Sequence, residues 1–251
     1  MNHNKYTMTS DVLKNEAHVW FCYTDEVADA KKLDYYQSLL SADEKAQHQR
    51  FHFQKDQHSY LVSHALVRIV LSKYADLQPS QWQFKKNAYG RPEIKQSTTD
   101  IPLKFNLTHT NDYCACVVTS GMECGIDVEV ISRKTNLMNI AQRMFASSEI
   151  SSLKKLHDSE FRKAFFKFWT LRESYVKALG TGLAGSAKDF SFCVNSDDIT
   201  ISFDNTVNDS GNEKAQWQFA LFEPTDSHIA AIAVKHSIQD KLTVSDKKIG
   251  L

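Results

Sequence analysis

The chain has 251 residues, 42% of them hydrophobic and 24% charged, which suits one large domain or two small ones with an ample core. Lys plus Arg equals Asp plus Glu at 30 each, so no net field favours nucleic acid, and a polyanion would have to be met by a local cluster. The polar start MNHNKYTMTSDVLKNE has no apolar signal core, and the longest clean apolar run, Ile229–Val234, is far too short for a bilayer, which predicts a protein without membrane attachment.

Ala17–Tyr23 is β-branched and aromatic and reads as a first strand. Val27–Leu40 has helical spacing at Leu33, Tyr36 and Leu40, and Ser41 with Glu44 forms a capping box for a second helix running toward Phe53. That stretch is rich in cations and histidines (Lys45, His48, Arg50, His52, Lys55, His58), either a solvated face or a phosphate-facing patch. Gln57–Tyr74 carries an apolar stripe through Leu61, Leu66, Val67, Val70 and Leu71, with Arg68 beside it. Pro79 breaks that helix, Trp82–Lys85 reads as a short strand, and Asn87–Pro92 has turn chemistry around Gly90.

Lys104–Thr110 alternates, placing Asn106 and Thr108 on one strand face with His109 at the end; Tyr113–Thr119 is a buried strand turned by Ser120 and Gly121. Five cysteines (22, 114, 116, 124, 193) form an odd, scattered set that predicts reduced thiols in a cytoplasmic protein. Cys114 and Cys116 read better as one face of a buried strand than as zinc ligands with Cys124 and His109. In Gly125–Ile131 the carboxylates of Asp127 and Glu129 share a face, about 7 Å apart by strand rise. Two readings stand: a solvated edge, or a site for a hard cation such as Mg²⁺.

Leu137–Phe145 and Ser147–Leu156 look helical, with Ser148 near an N-cap. Phe161–Leu179 follows, with an aromatic block (Phe165, Phe166, Phe168, Trp169) leading into Glu173 and Lys177. The last two stand four apart and share a helix face, Thr170 and Glu173 fit a second capping box, and Gly180 and Gly182 supply the stop. Lys188–Val194, Asp198–Phe203, Ala215–Phe222 and His228–Val234 alternate like antiparallel strands, Asn205–Asn212 is a hairpin loop, and Gln239–Leu251 reads as a frayed end. Strands then helices occur twice, which predicts an α+β protein of two halves, 1–120 and 121–251.

GIDVE at Gly125–Glu129, followed by FWTLRESYVKALGTGL at Phe168–Leu183, closely resembles the 4′-phosphopantetheinyl transferases of the surfactin-synthetase-activating type. FNLTHT resembles their FNISHS strand, YGRP their YGKP turn, and RFHFQKD with Arg68 their early helical region, so the resemblance spans roughly residues 41–192. The chain departs in having Arg172, Thr108 and Arg91 for the usual lysine, serine and lysine, and Gln47 where a basic residue is common, with Lys45, His48 or Arg50 as substitutes.

The resemblance implies a monomer of two similar α+β halves related by a pseudo-two-fold axis, each an antiparallel sheet packed with helices, with coenzyme A in the cleft between them. It also implies Mg²⁺ on Asp127, Glu129 and Glu173. The N-terminal half then serves the adenosine 3′-phosphate through Lys86, Gly90, Arg91, Asn106, Thr108 and His109, and the C-terminal half the metal and the catalytic helix. The implied reaction is attack by a serine of an apo acyl or peptidyl carrier protein on the β-phosphorus of coenzyme A, releasing 3′,5′-ADP. Asp127, Glu173 and Lys177 are its catalytic residues: Lys177 reaches a phosphate oxygen, and Glu173 or a water on the ion takes the serine proton. Leu137, Met138, Ile140 and Met144 follow the metal strand and read either as a carrier-docking face or as core. A non-catalytic coenzyme A or carrier-binding module and a metal-dependent phosphohydrolase are the competing readings.

Overall fold

The computed structural model of the chain describes residues 13–110, 112–133, 135–182, 188–195, 198–203, 217–236 and 242–249. The chain divides into two compact units, Met1–Gly121 with Thr243–Leu251, and Met122–Leu242. Each is a mixed α+β layer of sheet and helices. Among the described residues no helix is long and apolar enough to cross a membrane.

The first unit opens with β1 (Glu16–Tyr23), then α1 (Ala30–Leu39), α2 (Ala42–His48) and α3 (Gln54–Leu71). The short hairpin β2 (Phe84–Lys86) and β3 (Pro92–Ile94) and the strands β4 (Leu103–His109) and β5 (Tyr113–Ser120) follow. β5 lies between β1 and β4, antiparallel to both. Alternation along the strands presents Trp20, Cys22, Cys114, Cys116 and Val118 to the buried stripe of α3, Leu61, Leu66, Val70 and Leu71. Ser41 and Glu44 cap α2 reciprocally, as their spacing predicts. The helix stops at His48 rather than reaching Phe53, and α3 begins anew at Gln54.

The second unit holds β6 (Cys124–Val130), α4 (Leu137–Met144), α5 (Ser147–Leu153) and α6 (Asp158–Leu179). It continues with β7 (Phe190–Val194), β8 (Ile199–Phe203), β9 (Trp217–Thr225) and β10 (His228–Lys235). The sheet order is β6-β10-β9, all antiparallel, and β7 pairs with β8. The long helix α6 lies on β6 and β10. Its apolar side feeds two clusters, one with Tyr175, Phe190, Phe192 and Trp217 and one with Leu137, Phe145, Phe165 and Phe166.

One device is built into both units. In the first, the buried Arg68 of α3 pairs with Glu44, the capping-box residue of α2, at 2.5 Å, donates to Trp82 O at 2.8 Å and lies over the Phe84 ring at 5.0 Å. In the second, the buried Arg172 of α6 pairs with Glu149 of α5 at 2.5 Å, donates to Phe190 O at 3.3 Å and lies over the Phe190 ring at 4.4 Å. Glu149 also accepts from Ala146 N at 2.8 Å, closing the N-terminus of α5 as Glu44 closes that of α2. The N-cap of α2 is a serine and that of α5 an alanine, so the shared plan leaves little trace in the sequence.

Three expectations are corrected. The C-terminal segment is not frayed: Thr243–Lys248 forms β11, parallel to β1, which gives the first unit a mixed sheet and returns residues from 243 onward to that unit. No helix starts at Thr170, because α6 runs unbroken and Thr170 Oγ1 bonds back to Phe166 O at 2.8 Å. The N-cap of α5 is Ala146, not Ser148. Arg172, which stands where relatives have a lysine, is buried and paired with Glu149. Gly180 ends α6 in the left-handed region at φ 69°, as its position predicts. The Asn205–Asn212 loop and Leu183 lie outside the described residues.

Candidate active site

Asp127 and Glu129 share a strand face with Gly125, and this face is turned to α6. A Cβ built on Gly125 would stand 2.0 Å from Ser174 O and 2.5 Å from Ala178 N, so only glycine admits the helix backbone this close. The periods of the two elements match at this contact. Steps of two residues along a strand advance about 6.6 Å, and steps of four along a helix about 6 Å. Trp169 and Lys177 therefore reach Glu129 and Asp127 from one helix side, with Glu173 between them, while Ser174 and Ala178 back onto Gly125.

Lys177 Nζ donates to Asp127 Oδ1 at 2.7 Å and to Ile126 O at 3.1 Å. Its ion pair thus crosses from helix to strand, onto a buried carboxylate, instead of running along the helix to Glu173. Trp169 Nε1 donates to Glu129 Oε1 at 3.0 Å, and the exposed Arg133 lies 3.6 Å from Glu129 Oε2. Burial, then the nearby Asp127 and Glu129 charges, push the Glu173 carboxyl up to about 7 against the opposing pull of Lys177 and Arg172. Burial and Asp127 likewise raise Glu129, opposed by Arg133, the Trp169 N–H and Lys177.

The donor set fits a hard divalent cation: three carboxylates from two rigid elements, with negative charge in excess of what Lys177 and Arg133 balance. Among the described residues no three His, Cys, Asp or Glu side chains are gathered as a finished cage. Lys177 stands on Asp127 and offsets part of the repulsion among the carboxylates.

In the first unit, Lys86 ends β2, and Gly90 sits at φ 87° in the turn to β3. Asn87 organises this turn, its side chain accepting from Tyr89 N at 2.9 Å and Arg91 N at 3.0 Å. The hairpin packs on β4 through Phe84 and Phe105, 5.3 Å between ring centres. Asn106 and Thr108 are buried on one face of β4, whereas His109 is exposed, alternating to the other face. Lys45 and Arg50 are exposed and His48 half-buried around Gln47. Cys114 and Cys116 fill the core, with Cys114 Sγ 3.1 Å from Cys22 Sγ. Leu137 is buried, and Met138, Ile140 and Met144 are half-buried against the Phe145–Phe165 cluster.

Two residues of the site went unnamed as such in the sequence reading. Gly125 had its signal in the strand alternation that also exposed Asp127. Trp169 had its signal in the i, i+4, i+8 spacing with Glu173 and Lys177.

Residues 123–233 match the family model described as 4′-phosphopantetheinyl transferase superfamily, and residues 28–121 match that described as 4′-phosphopantetheinyl transferase, N-terminal. The chain is 28% identical to the 4′-phosphopantetheinyl transferase HetI of Nostoc sp. over 223 residues, 89% of each chain. It is 30% identical to a putative 4′-phosphopantetheinyl transferase of Synechocystis sp. over 170 residues, 68% of this chain and 67% of that one. To the 4′-phosphopantetheinyl transferase Sfp of Bacillus subtilis it is 29% identical over 180 residues, 71% of this chain and 77% of that one. Matched in both units, and carrying Gly125–Glu129 and Trp169–Lys177 against one another, the chain belongs to the 4′-phosphopantetheinyl transferase superfamily, with Sfp-like relatives.

Proposed function

We propose that the chain transfers the 4′-phosphopantetheine group of coenzyme A to a serine of an apo acyl or peptidyl carrier protein, with Asp127, Glu129, Glu173 and Lys177 as its chemical centre. The observation that carries this reading is the β6–α6 contact. There, three carboxylates and one ammonium meet across a backbone approach that requires Gly125. In the reaction the serine Oγ bonds to the β-phosphorus, the bridging P–O bond breaks, and 3′,5′-ADP leaves with the electron pair.

Glu173 receives the serine proton. Lys177 directs its ammonium donors at the phosphate oxygens on which charge grows. Asp127, Glu129 and Glu173 would hold Mg²⁺, which when bound supplies neutralisation of the pyrophosphate charge. Lys86, Arg91, Thr108 and His109 hold the adenosine 3′-phosphate with Asn106 beside them, and Gly90 shapes the turn that carries Arg91. The protein works as a monomer in the cytoplasm, in keeping with cysteines that form no disulfide, four of them buried.

Incubation with coenzyme A, Mg²⁺ and an apo-carrier protein tests the reading by mass spectrometry. A carrier gaining phosphopantetheine is expected. Free phosphopantetheine without carrier modification would make the protein a hydrolase, and no turnover would make it a binding module.

A further inference from the structure

Glu129 is held differently from the other two carboxylates. Its Oε1 accepts the indole N–H of Trp169 at 3.0 Å. The indole is itself fixed, stacked on Phe165 at 6.1 Å and 11° between planes and packed beside Phe145 at 6.4 Å. An indole N–H donates only and cannot turn acceptor. The ring packs against the mutually contacting Phe145 and Phe165, which limits how far it follows a carboxylate that rotates. On the other side, Arg133 is 3.6 Å from Oε2 and 62% exposed, a loose partner that solvent competes with.

We propose that Trp169 is a positioning residue that restricts Glu129 to binding through one oxygen, and thereby biases the cation site toward Mg²⁺ over Ca²⁺. This rests on the assignment of Asp127, Glu129 and Glu173 as cation ligands. Mg²⁺ demands an octahedron at about 2.0–2.1 Å and retains several waters, whereas Ca²⁺ takes six to eight oxygens at about 2.3–2.6 Å and accepts carboxylates through both oxygens. A glutamate with one oxygen held toward a fixed N–H is disfavoured from turning both oxygens onto one ion. The cost falls on Ca²⁺, while the oriented remaining oxygen suits Mg²⁺.

The test is calorimetric titration of Mg²⁺ and of Ca²⁺ into the protein with saturating coenzyme A, after subtraction of the same titrations into coenzyme A alone. It compares the wild type, Trp169→Phe, and a protein with benzothienylalanine at position 169, which retains the fused ring but replaces the N–H with sulfur. The preference for Mg²⁺ over Ca²⁺ is expected to fall about tenfold or more in both variants. A ratio within twofold of wild type in either folded variant overturns the proposal. Wild-type protein that takes up neither cation removes the ligand assignment itself, and this proposal with it.

A second measurement needs no variant: the Trp169 indole N–H resonance in ¹⁵N-labelled wild-type protein. It is expected to stay in its hydrogen-bonded position at Mg²⁺ saturation. Movement to the solvent-exposed position shows that the N–H leaves Glu129 when the ion binds, and refutes the inference.

Discussion

Removing the Glu149 carboxylate should be among the most damaging single substitutions in the second unit. Glu149 is wholly buried and accepts from Arg172 Nη2 at 2.5 Å, Ala146 N at 2.8 Å and Phe192 N at 2.9 Å. Glu149→Ala leaves the Arg172 guanidinium buried without its counter-charge, a loss of about 3–5 kcal/mol for a broken buried pair. The orphaned Phe192 N–H adds about 1–3 kcal/mol, part of which overlaps the first loss. A total of about 4–6 kcal/mol consumes much of the 5–15 kcal/mol typical of a domain. At a urea slope of about 2 kcal/mol/M, the midpoint should fall by about 2–3 M, read by far-ultraviolet circular dichroism.

Arg172→Met with Glu149→Leu should recover most of that loss, since apolar residues of similar volume replace a buried ion pair at little cost. The same double variant tests whether Arg172 contributes to chemistry. If Arg172 serves to hold Glu149 and the Phe190 carbonyl rather than the substrate, the double variant keeps its turnover on apo-carrier within a few-fold. A hundredfold loss of kcat in a folded double variant would show that Arg172 acts on the substrate and would refute this account. So would a Glu149→Ala midpoint within 0.5 M of wild type, on the order of 1 kcal/mol.

The Glu173 carboxyl, raised to about 7 from its ordinary 4.5, binds more protons in the folded than in the unfolded state between those values. Its contribution to metal-free stability is therefore intact below about pH 4.5 and lost as pH rises through about 7, at most about 3 kcal/mol and less after screening. In EDTA, Glu173→Gln should melt above wild type at pH 8 and gain less at pH 5.5; an equal difference at both would sink the electrostatic explanation. Lys177→Ala should lower kcat on the order of 10²-fold, and near-normal turnover would remove Lys177 from the mechanism. His109→Ala should raise KM for coenzyme A and leave that for 3′-dephospho-coenzyme A unchanged; equal losses on both would detach His109 from the 3′-phosphate.

Much of the site was legible in one dimension because period alone decides which side chains share a face. Alternation in Gly125–Glu129 put Asp127 and Glu129 together, and four-residue spacing did the same for Glu173 and Lys177. The Ser41–Glu44 cap was equally local, resting on two residues of one helical turn. What period cannot say is which face meets which.

Lys177 chose Asp127, fifty residues away and buried, over its helical neighbour Glu173. The strand carboxylate is held at a fixed short distance by the Gly125 contact, and burial strengthens the pairing there. Arg172, next to Glu173 in sequence, points inward because Glu149 and two aromatic rings lie there. β11 reads as a polar tail until β1 offers it a free edge more than two hundred residues earlier, where backbone pairing, indifferent to side-chain polarity, orders it. Faces are set by covalent geometry within a few residues, but partners are set by distance and desolvation, which exist only once the chain has folded.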